Sequence, residues 1–251
     1  MINPLSSLRL VCLLLLGSSL LAQQTKQKPP IQETKAAVKK KVKTKFFGKK
    51  PIPFINTALT FAGPTNKIGL DGIQCDLPAA VSGKDGKALI SYLEWDGKTD
   101  RLILTRETKK GLKQVSGDVA KGVLHKPAIA IDGKGVAWIF CSETHEDTTV
   151  DLKARSWSAS KGFGSPVTIA DSDAAEAFVV AGTDFNGRVW TSWQSFRAGE
   201  ADIYAHFLDP KSGKWSKEIA VATQKGGDWE PSLAFDGKGN AWIAYDSSRG
   251  N

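Results

Sequence analysis

Cysteine is scarce in this chain. There are three among 251 residues, at Cys12, Cys75 and Cys141. So few exclude a scaffold that depends on disulfides, so the hydrophobic core must supply the stability. Histidine is equally rare, and His125, His145 and His206 show no paired metal-ligand spacing. There is no Gly-rich phosphate loop, no nucleophile elbow and no Cys/His dyad. No stretch sustains apolar residues at the 3.6-residue period, which excludes a helical domain. The one uninterrupted apolar run, Leu10–Leu16, is too short to span a bilayer.

That run has a different meaning. It follows a single positive charge, Arg9, and precedes small residues ending at Ala22, the order of a secretory signal peptide. Residues 1–22 are therefore expected to direct export, to the periplasm or the cell exterior. Residues 23–52 follow as a Lys-rich linker expected to be disordered. Gln23–Lys50 carries ten Lys and one Glu, a net of +9; with Arg9 included, the +8 of the whole chain leaves residues 51–251 at −2. The basic pI thus belongs to the linker. It reads as a solvated spacer, or as a contact to an anionic surface. Export argues against nucleic acid as a partner.

The rest of the chain repeats. "HKPAIAIDGKGVAWIFC" begins at His125, "FVVAGTDFNGRVWTSW" at Phe178 and "EPSLAFDGKGNAWIAY" at Glu230. Asp132, Asp184 and Asp236 are spaced by 52, as are Gly135, Gly187 and Gly239, and Trp138, Trp190 and Trp242. A degenerate copy, "DLPAAVSGKDGKALISY", starts at Asp76. Each unit reads as a hairpin closed by an Asp–x–x–Gly turn, followed by two further strands. Four strands in about 50 residues predict an all-β fold, a β-propeller of four-stranded blades. The blades are expected at 75–123, 124–175 and 176–227, with a half blade at 228–251 and an outer strand and loop at 53–74. The last unit stops after its two inner strands, so the propeller reads as incomplete at the C-terminus and the chain as part of a longer protein; the alternative is that "PIPFINTALTFAG", Pro51–Gly63, supplies outer strand material and closes a four-bladed ring. Trp138, Trp190 and Trp242 are expected to pack between blades, each ring contributing about 2–3 kcal/mol.

"WEPSLAFDGKGNAWIAYDSSRGN" and "GTDFNGRVWTSWQSFRAGEADIYAHF" resemble repeats of exported bacterial β-propeller proteins, of the TolB-like, NHL-like and sialidase-type group. The resemblance covers about residues 75–251. It is also similar to the propeller region of large secreted proteins in which a C-terminal domain like metal-dependent hydrolases follows. The phrase departs from the sialidase Asp-box, because "DGKG" places Gly one residue farther from Asp. A sialidase-like enzyme would also present three Arg and a Tyr nucleophile, and only Arg197 and Arg249 stand in matching places.

In a propeller, loops before the first strand and after the second share a face. They form a polar rim of Asp76, Glu94, Trp95, His125, Glu143, His145, Glu176, Arg197, Trp229, Glu230 and Arg249. Its charges and rings suit a protein or glycan ligand, and the chain reads as an exported binding module. The alternative is a carbohydrate-active hydrolase or lyase using two of the carboxylates as acid and base. No cofactor is expected. The acidic stretches "ETHEDTTVD" and "DSDAAE" offer oxygen ligands for Ca²⁺ but lack the glycine-spaced loop. Cys75 and Cys141 fall near one face on neighbouring units, where a disulfide between them is compatible with the fold.

Overall fold

The computed structural model describes residues 68, 69 and 71–248, all within the compact unit Ala62–Asn251. The expected signal peptide, the Lys-rich linker, most of segment 53–74 and Arg249 lie outside the described residues. Among the described residues every element is a β-strand, and the named strands pair antiparallel. The first blade runs β1 (Gln74–Ser82), β2 (Ala88–Trp95) and β3 (Asp100–Thr108), and its fourth strand is split into β4 (Gly111–Gln114) and β5 (Ala120–Leu124). The second holds β6 (Ala128–Ile131), β7 (Ala137–Thr144), β8 (Val150–Ser158) and β9 (Gly162–Ala170). The third holds β10 (Glu176–Thr183), β11 (Val189–Ser195), β12 (Asp202–Asp209) and a fourth strand in two pieces, β13 (Lys214–Trp215) and β14 (Ile219–Ala222). A fourth unit contributes β15 (Asp228–Phe235) and β16 (Ala241–Ser247). The inner strands contact one another in the order β1, β6, β10, β15, the arrangement of a β-propeller.

The repeated aspartate builds the inner turn. Asp132, Asp184 and Asp236 each accept through Oδ1 from the backbone N–H groups two and four residues on, at 2.8–3.0 Å. The glycine three residues on has φ of +84°, +75° and +82°, a region closed to most side chains. In the degenerate first copy, Gly83 replaces the aspartate, and Asp85 Oδ1 takes the Lys87 N–H instead.

The core lies between blades. Leu93, Leu102, Ile131, Ile139 and Trp157 fill the space between the first two. Phe140, Leu152, Val179, Val189 and Trp193 fill the next. One strand serves both neighbours: Asp100–Leu102 of β3 pair with Ala120–Gly122, and Thr144 and Glu143 of β7 pair with Val123 and Leu124.

The motif tryptophans differ from the expectation of uniform burial. Trp138 is half-buried and meets Trp215 of the next blade edge-on, with centroids 5.5 Å apart. Trp190 is half-buried against Phe207 of its own blade, and Trp242 is 63% exposed. The fully buried tryptophan is Trp193, three residues beyond Trp190 and therefore on the opposite face of β11. The motif ring is also bound to its turn: Trp190 Nε1 donates to Asp184 Oδ2 at 2.9 Å and Trp242 Nε1 to Asp236 Oδ2 at 3.3 Å.

Candidate functional site

Three inner strands begin with the same distortion. Leu77, Phe178 and Glu230 occupy equivalent positions and have φ of +52°, +54° and +50°. The pairing register of β1, β10 and β15 shifts at these positions. Left-handed backbone at a non-glycine residue is strained, and bulges re-aim the side chains beside them. All three lie on the face formed by the starts of the inner strands and the ends of the second strands.

On this face the first blade has a cavity of about 360 Å³, lined by Gln74, Asp76, Leu77, Leu93, Trp95 and Asp100, with Leu124 at its border with the second. Pairing aligns Gln74 with Trp95 and Trp95 with Asp100, and Asp76 with Leu93 and Leu93 with Leu102. Since alternate residues share a face, Asp76, Trp95 and Asp100 stand on one side of the sheet. Strand spacing of ~4.8 Å and a rise of ~3.4 Å place the Cα atoms of Asp76 and Asp100 about 12 Å apart. Gln74 Nε2 donates to Asp76 Oδ2 at 2.6 Å, and the Leu124 N–H donates to Asp100 Oδ2 at 3.1 Å. Among the described residues each aspartate therefore keeps a carboxylate oxygen without a hydrogen bond. Trp95 is 42% exposed, a ring face open to a ligand.

The remaining rim residues do not converge on this cavity. Glu94 is the neighbour of Trp95 and faces the opposite way. It is 2% exposed, accepts from the Tyr92 hydroxyl at 3.4 Å and faces Arg101 at 3.6 Å. Cys75 pairs with Glu94 and shares its face, whereas Cys141 sits in the core with Leu93 on the other side of the sheet. The first sheet thus separates the two sulfurs, and no disulfide joins them. Burial, and then the charge of Glu143, push the Cys141 thiol up to about 12. Glu143 and His145 belong to a chain along β7 and β8: Lys153 Nζ lies 2.9 Å from Glu143 Oε2 and 3.3 Å from His145 Nε2, which contacts Asp151 at 2.9 Å. His125 is exposed, and its Nε2 meets the Thr144 hydroxyl at 2.9 Å.

Glu176 is wholly buried and already saturated. It accepts from the Ser172 hydroxyl, Trp193 Nε1 at 2.6 Å, Ser195 Oγ at 3.0 Å and Arg197 Nη2 at 3.0 Å. Arg197 also grips both oxygens of Glu218 and covers the Tyr204 ring at 4.2 Å. These two are internal ties of the third blade. Trp229 lies against the backbone of Gly227, and the Glu230 N–H donates to Gln194 Oε1 at 3.1 Å.

Acidic residues absent from the predicted rim matter more than several members of it. Asp100 and Asp202 stand at the starts of the third strands β3 and β12, and Asp202 is 2% exposed. Burial, then the charges of Glu200 and Asp228, raise the Asp202 pKa. Their signal was available in "EWDGKTD" and "GEADIY", but the hairpin pattern directs attention to the first and second strands rather than the third. Among the described residues no group of three or more His, Cys, Asp or Glu is placed to hold a metal ion. In the first acidic stretch considered for Ca²⁺, Asp147 binds Thr149, Asp151 binds His145 and Glu143 binds Lys153; in the second, Glu176 is occupied as described above.

No family model and no curated protein matches the chain. Solved structures do. A protein of unknown function from Dyadobacter fermentans is 12% identical at a TM-score of 0.50, covering 70% of this chain and 63% of that one. The endo-arabinase from Bacteroides thetaiotaomicron is 15% identical at a TM-score of 0.48, covering 70% and 72%. The sialidase Hz136 is 13% identical at a TM-score of 0.42, covering 61% of this chain and 39% of that one. The chain thus spans about four-tenths to seven-tenths of these structures. At such identities the likeness speaks for the fold alone. It does not extend to the TolB-like or NHL-like repeat groups or to a further C-terminal domain.

Proposed function

We propose that the chain is a carbohydrate-active propeller that hydrolyses a glycan in the cavity of its first blade. One observation carries this reading: Asp76, Asp100 and the half-open ring of Trp95 share one cavity of about 360 Å³. A sugar ring stacks its C–H face on an exposed indole, and two carboxyl groups flanking the glycosidic bond supply acid and base. A Cα separation of about 12 Å leaves room for a water between the two carboxyl groups, the arrangement of an inverting mechanism, in which they stand roughly 6.5–9.5 Å apart. One carboxyl protonates the departing oxygen; the other takes a proton from the water as it attacks.

The test is release of reducing ends from a panel of plant and bacterial polysaccharides, arabinan included, with the product anomer read by proton NMR. Inverted product is expected, with Asp76→Asn and Asp100→Asn each losing at least about 100-fold in kcat. Binding without turnover, abolished by Trp95→Ala, would return the chain to the role of a glycan-binding module. Retained configuration would refute the pairing of these two aspartates. Export accords with such a substrate, and a mature protein beginning near Gln23 would support it.

A further inference from the structure

A second cavity, of about 240 Å³, shares no lining residue with the first and lies between the first two blades. Its floor is apolar, formed by Ile139 and Cys141 at 1% and 3% exposure. Its wall carries three cations, Lys121, Lys153 and Arg155, and a single carboxylate, Glu143. Lys153 satisfies Glu143 at 2.9 Å. Among the described residues Lys121 reaches only Asp96, at 3.8 Å with both side chains open to solvent.

Arg155 is the informative member. Its Nε donates to the Gly164 carbonyl at 2.8 Å, and its Nη1 donates to the carbonyls of Asp118 and Val119 at 3.0 and 3.2 Å. Its guanidinium also lies over the Phe163 ring at 5.0 Å. Among the described residues it forms no ion pair. The nearby Asp118 carboxylate is held by Arg101, through two bonds of 3.1 and 2.7 Å. A half-buried guanidinium without a counter-charge is unfavourable, and an anion at Nη2 would compensate it. The cavity equals about eight water volumes, room for one small ring. An apolar floor beneath a cationic wall matches an amphiphilic acid better than a bare inorganic ion.

We infer that this cavity binds a small organic monocarboxylate, its carboxylate between Arg155 and Lys121 and its hydrocarbon body on Ile139. The site is independent of the proposed glycan cavity. Benzoate is the probe, titrated into the full chain by calorimetry and by methyl NMR of Ile139. Benzyl alcohol and inorganic phosphate serve as the neutral and inorganic comparisons. Saturable benzoate binding is expected. Lys121→Ala, on an exposed side chain, should weaken it about tenfold while leaving glycan turnover unchanged. Arg155→Ala is unsuitable as the sole variant, because Arg155 also holds three carbonyls. Lys153→Ala provides the second measurement and should weaken benzoate as well. No saturable shift of Ile139, equal binding of benzyl alcohol, equal binding of phosphate, or full affinity in both lysine variants would each overturn the assignment.

Discussion

Removing the Glu176 carboxylate tests how the third blade is held together. The carboxylate is wholly buried and accepts from two hydroxyls, one indole N–H and one guanidinium. Glu176→Ala leaves those donors facing a void. Deleting one partner of a buried ion pair costs about 3–5 kcal/mol. Arg197 is about a quarter exposed and retains Glu218, so the lower end, about 3 kcal/mol, applies here. Glu176→Gln preserves the shape, loses the charge and turns one donor toward other donors, for about 2 kcal/mol. With a urea m-value of about 2 kcal/mol/M, the midpoint should fall by about 1.5 M for Ala and 1 M for Gln, at unchanged m. A double-mutant cycle with Arg197→Met should give a coupling above about 0.5 kcal/mol. A loss below about 1 kcal/mol for Glu176→Ala, or a coupling near zero, would show that these contacts do not secure the blade.

Asp184→Ala should cost about 2 kcal/mol, because the carboxylate holds Asn186 N–H, Arg188 N–H and Trp190 Nε1 together; a fall in Tm of about 4–8 °C is expected, and no change would refute the turn's role. The Asn240 side chain and backbone, followed by the Trp242 indole, lower Asp236 to about 2. Its folded pKa lies below the ordinary 3.8, so its contribution to stability is complete above about pH 4 and disappears as pH falls toward 2; a carboxyl NMR titration with a midpoint near 3.8 would contradict this. Cys141, with its thiol pushed up to about 12 and 3% exposed, should resist alkylation at pH 8 until the protein unfolds, and rapid native labelling would refute its burial.

The blades were legible in the sequence because their signals are local. Asp132, Asp184 and Asp236 bond to their own turns within four residues, and the glycine that follows needs a positive φ whatever surrounds it. Strand alternation and the 52-residue period are equally local, so the all-β blade pattern follows without knowledge of any distant contact. The rim was legible only as a set of loops. Glu94 and Trp95 are consecutive letters, yet one is buried beside Arg101 and the other opens onto the cavity. Glu176 resembles a free rim acid until Trp193, Ser195 and Arg197, 17 to 21 residues away, are folded onto it. Asp100 joins Asp76 only through strand pairing, and the Cys75–Cys141 pair is separated by a sheet whose facing depends on its bulge. Sequence alone determined the repeat, the strands and the turns, because each is set by neighbouring residues. Only the tertiary structure decided which acids are occupied and which share a cavity, because a one-residue change of register reverses every side chain on a strand.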